Sequence, residues 1–121
     1  MARILIIDDE AMIRNLIVKI LEREGYETIT ASDGKEGIKS HRENPADLII
    51  TDLIMPEKEG IETIMELRRD FPDVKIIAMS GGGNIDPETY LRIAKTMGAI
   101  KTLAKPFNRK ELLKTIQELL E

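Results

Sequence analysis

Five short apolar runs alternate along the chain with longer segments whose apolar residues recur every three or four positions. Ile4-Leu5-Ile6-Ile7 is apolar throughout and mostly β-branched, the pattern of a strand buried on both faces. Met12, Ile13, Leu16, Ile17, Ile20 and Leu21 then follow at the spacing of one helix face, and Gly25 predicts the stop. Residues 26–30 are shorter and more polar, which predicts a strand near a sheet edge. Residues 33–43 read as a polar helix with few apolar anchors, ended by Asn44-Pro45. Leu48-Ile49-Ile50 is again a fully buried strand. Met55-Pro56 opens a loop, and Ile61, Ile64, Met65 and Arg68 line a third helix that stops before Phe71-Pro72. A fourth strand over 74–79 leads into Gly81-Gly82-Gly83. Asp86-Pro87-Glu88 has the features of a helix start, and that helix runs to Met97 with Gly98 as its end. A fifth strand covers 99–103. Asn108 caps the last helix with Glu111 in capping-box register, and Leu112, Leu113, Ile116, Leu119 and Leu120 form its buried stripe.

Strand followed by helix, five times over, predicts an α/β protein: a doubly wound parallel sheet with helices on both faces. The 121 residues contain no linker, short repeat or low-complexity segment, so residues 1–121 read as one domain with one core. Hydrophobic residues make up 42%, too many for a disordered chain. The net charge of −4 and the 3% aromatic content without Trp argue against a surface that binds nucleic acid directly. The absence of Cys excludes disulfides, thiolate metal sites and cysteine nucleophiles, and fits a reducing compartment. No apolar stretch approaches the ~18 residues of a membrane span, and the N-terminus lacks a secretory pattern. The expectation is a soluble cytoplasmic protein with no membrane association.

In a parallel α/β sheet, ligands bind beyond the carboxyl ends of the strands. The residues that follow the strands are Asp8 and Asp9 after the first, Asp52 after the third, Ser80 after the fourth and Lys105 after the fifth. Each alone has an ordinary structural reading: a helix cap for Asp8 or Asp9, a loop carboxylate for Asp52, turn chemistry for Ser80, a solvated lysine for Lys105. Their convergence on one sheet edge points instead to a site. Clustered carboxylates repel one another unless a cation lies between them. An oxygen-only donor set selects a hard cation that keeps several waters, Mg²⁺. A carboxylate beside such a cation can accept a phosphoryl group, whose oxygens a lysine and a hydroxyl would neutralise. Asp52, on the central strand, is the best acceptor. Asp8 and Asp9 are the best metal ligands. No P-loop motif is present. His41, near the end of the polar second helix, reads as a solvated surface histidine, and the methionines fall mostly at core spacing.

Asp8-Asp9, Asp52-Leu53-Ile54-Met55-Pro56, Ser80 and Lys105-Pro106-Phe107 together resemble the signature of the response-regulator receiver domain of two-component signalling. The resemblance covers the whole chain in order and spacing. It implies a CheY-like, flavodoxin-like fold with five parallel strands in the order 2-1-3-4-5. It implies that Asp52 takes a phosphoryl group from a sensor histidine kinase or a phosphotransfer protein. Asp9 would bind Mg²⁺ directly, Asp8 largely through water, and Ile54 through its backbone carbonyl, with Asp52 itself also in the ligand set. Ser80 and Lys105 would hold the phosphoryl oxygens, and the Lys105-Pro106 peptide would be cis. Two departures from the family pattern matter, one at Thr102 and one at Ile54 and Gly82. Thr102 stands where a large ring is usual, so the change on phosphorylation is expected mainly in the Gly81-Gly82-Gly83 loop. Ile54 and Gly82 offer no side chain that could align an attacking water.

The resulting expectation is a single-domain response regulator, non-enzymatic and monomeric or weakly dimeric, that signals through a phosphorylation-dependent contact with another protein. The alternatives are a receiver fragment of a longer regulator with a DNA-binding or enzymatic output domain, and a phosphorylation-independent interaction module. A Mg²⁺-dependent phosphohydrolase would want a second acid two residues after the nucleophile, where this chain has Ile54.

Overall fold

The computed structural model describes residues 2–53, 60–80 and 87–120, with backbone only at 87, 90, 91 and 97. Five strands and five helices alternate: β1 (Arg3–Ile7), α1 (Ala11–Arg23), β2 (Glu27–Ala31), α2 (Gly34–Glu43), β3 (Leu48–Asp52), α3 (Gly60–Asp70), β4 (Lys75–Ser80), α4 (Pro87–Met97), β5 (Lys101–Ala104) and α5 (Arg109–Leu120). The strands form one parallel sheet in the order β2-β1-β3-β4-β5. The doubly wound architecture is therefore as the sequence predicts, with β2 at an edge. The chain leaves β1 toward β2 and then crosses to β3 on the other side. That reversal opens a crevice over the carboxyl ends of β1 and β3.

Alternation along each strand divides the core in two. Leu5, Ile7, Ile49, Ile76 and Ala78 face α2, α3 and α4 through Ile38, Ile64, Leu67 and Ala94. Ile4, Ile6, Ile50, Ile77 and Met79 face α1 and α5 through Ile17, Leu21, Leu112 and Ile116. Each isoleucine or leucine buried this completely contributes ~1.5–3 kcal/mol relative to exposure.

Element ends differ from the sequence reading where helix termination claims residues first. The N–H of Tyr26 returns to the carbonyl of Leu21, so β2 starts one residue later than predicted. The N–H of Ala99 returns to Ala94, which delays β5 to Lys101. Gly25 and Gly98 end α1 and α4 with positive φ of 87° and 137°. Asp33 and Asn108 cap α2 and α5 by accepting from the N–H groups of Glu36 and Glu111, both at 2.8 Å. The predicted cap Asp86 and the Met55-Pro56 loop lie outside the described residues.

Two expectations require correction. The α1 stripe is wider than the face it buries: Ile17 and Leu21 are buried, but Met12 is 80% and Leu16 55% exposed. Met65 on α3 is also half exposed, so Met12 and Met65 are surface residues and Met79 is in the core. The second correction is His41, which is buried, not solvated, with 3% of its surface exposed. Gly34, Gly37, Ile38 and His41 form the buried face of α2 at i, i+3, i+4 and i+7 spacing. Because two of these four are glycines, the stripe does not register as apolar. The Nδ1 atom of His41 accepts from the N–H of Ala46 at 3.0 Å, and its ring meets Phe71 edge-on at 4.5 Å. Arg42 lies over the same Phe71 ring at 5.4 Å and pairs with Asp70.

Burial holds the His41 pKa below its ordinary 6.5. The unfolded chain thus binds a proton more readily than the folded one in the range below 6.5, and stability falls as pH drops through that range. Replacing His41 with Ala is expected to cost about 2 kcal/mol near pH 7.5, from lost packing and a lost hydrogen bond. The gap between wild type and variant should narrow toward pH 5. Urea unfolding at the two pH values measures both quantities, and a constant gap would contradict the neutral, buried imidazole.

Candidate functional site

Four of the five strands, all but β2, deliver a polar group to the crevice at or just past their carboxyl ends. β1 runs into Asp8, β3 and β4 end in Asp52 and Ser80, and β5 is followed by Lys105. Register enforces the meeting: Asp52 pairs with Met79, Ser80 pairs with Ala104, and the Lys105 N–H donates to the Ser80 carbonyl at 2.8 Å. The Lys105-Pro106 peptide is cis, as the resemblance implies.

Asp8 and Ser80 are fully buried and Asp52 is 6% exposed, whereas Asp9 and Glu10 face solvent. The ammonium of Lys105 lies 3.0 Å from Asp8 Oδ2 and 3.5 Å from Asp52 Oδ1. Asp52 Oδ1 also accepts from the Leu53 N–H at 3.0 Å. Burial is the main reason that the Asp52 pKa is pushed up to about 6; the Asp8 carboxylate adds to this, and Lys105 and the Leu53 N–H oppose it. For Lys105, burial disfavours the charge, but Asp52, Asp8 and Glu10 together outweigh burial and raise its pKa. The Ser80 hydroxyl is buried with no hydrogen-bond partner among the described residues. A buried, unpaired hydroxyl is costly in an apolar core and useful beside an incoming oxygen.

The carboxylate oxygens of Asp8, Asp9 and Glu10 lie within 4.8 Å of one another. An oxygen-only set of this kind fits a hard divalent cation such as Mg²⁺. The sequence reading named Asp8 and Asp9 but not Glu10. Asp52, also expected as a ligand, is not part of this trio; its Oδ1 accepts from the Leu53 N–H and lies 3.5 Å from the Lys105 ammonium. Ile54, whose carbonyl was the fourth expected ligand, lies outside the described residues, as does the Gly81-Gly82-Gly83 loop. Thr102 is half-buried on β5 opposite Ala78.

Two further residues shape the site without a signal in the motifs. Thr51 donates its hydroxyl to the Asp52 carbonyl at 3.1 Å. Gly60, first residue of α3, approaches the acceptor strand so closely that a Cβ there would sit 2.2 Å from that same carbonyl. Only glycine permits this contact.

Asp52→Asn should stabilise the protein in metal-free buffer, because the amide carries no charge to bury. The penalty on wild type grows as pH rises from about 4 and is complete above about 6, the folded-state pKa. The expected gain is therefore about 2 kcal/mol near pH 8, fading toward pH 4. Chemical denaturation of both forms across that range checks it, and a variant less stable than wild type at pH 8 would contradict the buried charge.

Comparison with known proteins places this geometry. The family profile "Response regulator receiver domain" matches residues 4–117. The chain is 35% identical over 121 residues to the alkaline phosphatase synthesis transcriptional regulatory protein PhoP of Bacillus subtilis, covering 98% of this chain and 48% of PhoP. It is 32% identical to the transcriptional regulatory protein CpxR of Klebsiella pneumoniae over 99% of this chain and 50% of CpxR. The chain thus spans about half the length of these curated relatives. Among solved structures, chemotaxis protein CheY4 of Vibrio cholerae superimposes with a TM-score of 0.88 at 34% identity, covering 99% of both chains. Response regulator TrrA of Thermotoga maritima, solved in complex with Mg²⁺ and BeF, gives 0.88 at 35% identity, over 99% of this chain and all of TrrA. The chain belongs to the receiver domain family of two-component response regulators.

Proposed function

We propose that Asp52 is the phosphoacceptor, and that residues 1–121 act as one receiver domain which takes its phosphoryl group from the phosphohistidine of a sensor histidine kinase or a phosphotransfer protein. The observation that carries this reading is a nearly buried carboxylate 3.5 Å from a lysine, delivered to the same edge as the buried Ser80 hydroxyl, which has no hydrogen-bond partner among the described residues. A structural ion pair has no use for an unpaired hydroxyl at its edge. A site for a tetrahedral anion does.

In the reaction, an Asp52 carboxylate oxygen forms the new O–P bond as the P–N bond to the donor imidazole breaks in line with it. The imidazole leaves neutral when its other nitrogen keeps its proton. Lys105 holds one phosphoryl oxygen, which requires its ammonium to shift from the two carboxylates toward the new anion. Ser80 donates its hydroxyl to another. By the family pattern Asp9 would hold Mg²⁺ directly and Asp8 through water, with Asp52 and the Ile54 carbonyl completing the set. Bound there, the cation would supply positive charge against the acidic cluster and the phosphoryl oxygens. Asp8 already accepts from Lys105 and from the Glu10 N–H at 2.9 Å, while Asp9 is exposed, which supports the direct role for Asp9.

Donor docking has a surface beside this site. Half-exposed Leu16, with Ile13, Ile20, Pro106 and Phe107, lines an apolar groove of about 350 Å³ whose wall includes Lys105, and Met12 is exposed on the same helix. An apolar patch at the mouth of a phosphoacceptor site suits the helical bundle that presents a phosphohistidine. The output is a phosphorylation-dependent contact with another protein, made in the cytoplasm by a monomer or weak dimer without nucleic-acid binding by these residues. No helix among the described residues is long and apolar enough to cross a membrane.

Incubation with Mg²⁺ and a small acyl phosphate should add the mass of one phosphoryl group, mapped to Asp52, and Asp52→Asn should gain none. Stoichiometric labelling of the variant would refute the assignment. Mg²⁺ at millimolar concentration should also raise the melting temperature of wild type by mass action, and Asp9→Ala should lose most of that rise.

A further inference from the structure

Asp8 is held from every side. Its N–H donates to Ala31 at 3.2 Å, its Oδ1 accepts from the Glu10 N–H, and its Oδ2 accepts from Lys105. The remaining group, its backbone carbonyl, sits past the end of β1 and accepts from Nη1 of Arg14 on the first turns of α1, at 2.7 Å. This carbonyl belongs to the Asp8–Asp9 peptide plane. A peptide unit is rigid, so one strong bond to its oxygen fixes the plane and with it the direction in which Asp9 leaves the chain.

Resting on the phosphoacceptor reading above, we propose that Arg14 is a positioning residue for the cation site: by pinning the Asp8 carbonyl, it aims the Asp9 carboxylate at Mg²⁺. The sign of its effect separates this from a simple charge. A guanidinium near a cluster of acids repels a divalent cation, so if charge were its whole influence, removing it would tighten cation binding. Positioning predicts the reverse. It also predicts selectivity, since Mg²⁺ demands near-ideal octahedral geometry and Ca²⁺ tolerates a looser one.

The test is titration of the whole 121-residue chain with Mg²⁺ and separately with Ca²⁺, followed by calorimetry and by melting temperature, for wild type, Arg14→Ala and Arg14→Met. Met keeps the apolar stem of the side chain, so it guards against loss of packing. The metal-free melting curve verifies the fold of each variant. The expected result is Mg²⁺ affinity lowered about tenfold in both variants, as for loss of a group that orients a metal ligand, with Ca²⁺ affinity changed less. Mg²⁺ bound by the two variants as tightly as by wild type, or more tightly, overturns the inference, and so does an equal loss for both cations. A wild type that binds no Mg²⁺ at all would instead remove the phosphoacceptor reading, and this inference with it.

Discussion

Two carboxylates buried at the ends of neighbouring parallel strands, with one lysine between them, define the chemistry of this molecule. Two carboxylates held this close out of water repel each other unless a cation lies between them. Lys105 supplies one, at 3.0 Å from Asp8 and 3.5 Å from Asp52. Burial still holds the Asp52 pKa above its ordinary range. The sheet enforces this tension. β1 and β3 are adjacent because the chain reverses its winding direction there, and their register places both acids at one edge. A fold that only needed stability would put apolar residues at these ends. Here the core on either side of the sheet is mostly isoleucine and leucine, and its stability offsets the cost of an unsettled edge.

Most of the fold was legible in the sequence, for a clear physical reason. Strands buried on both faces carry no alternation to misread, and Ile4–Ile7 and Leu48–Ile50 stand out as continuous apolar runs. The site was legible too, because parallel winding sends every strand end to one edge, so residues distant in the chain can be placed together by topology alone. His41 was misread because its helix buries glycine: a face made by close backbone approach has no hydrophobic signature. Met12 and Leu16 were misread for the opposite reason. Helical spacing reports an apolar face but not whether the protein itself covers it. Arg14 and Gly60 escaped notice because their contacts are with backbone, and motif chemistry counts side-chain functional groups.

The distribution of roles over the two faces of the sheet has a consequence for how such a domain can change over generations. The α2, α3 and α4 side is anchored by residues such as Ile64 and Leu67 that have no exposed surface, while Met12 and Leu16 project from α1 with most of their area in solvent. Exchanging either for another side chain leaves the interior untouched, and surface substitutions of that kind usually move stability by only about ±0.5 kcal/mol. Residues that would choose a partner are thereby uncoupled from residues that choose a fold. On the proposed docking role, substitutions at these α1 positions would change which donor is accepted while leaving the buried acids and Lys105 in place.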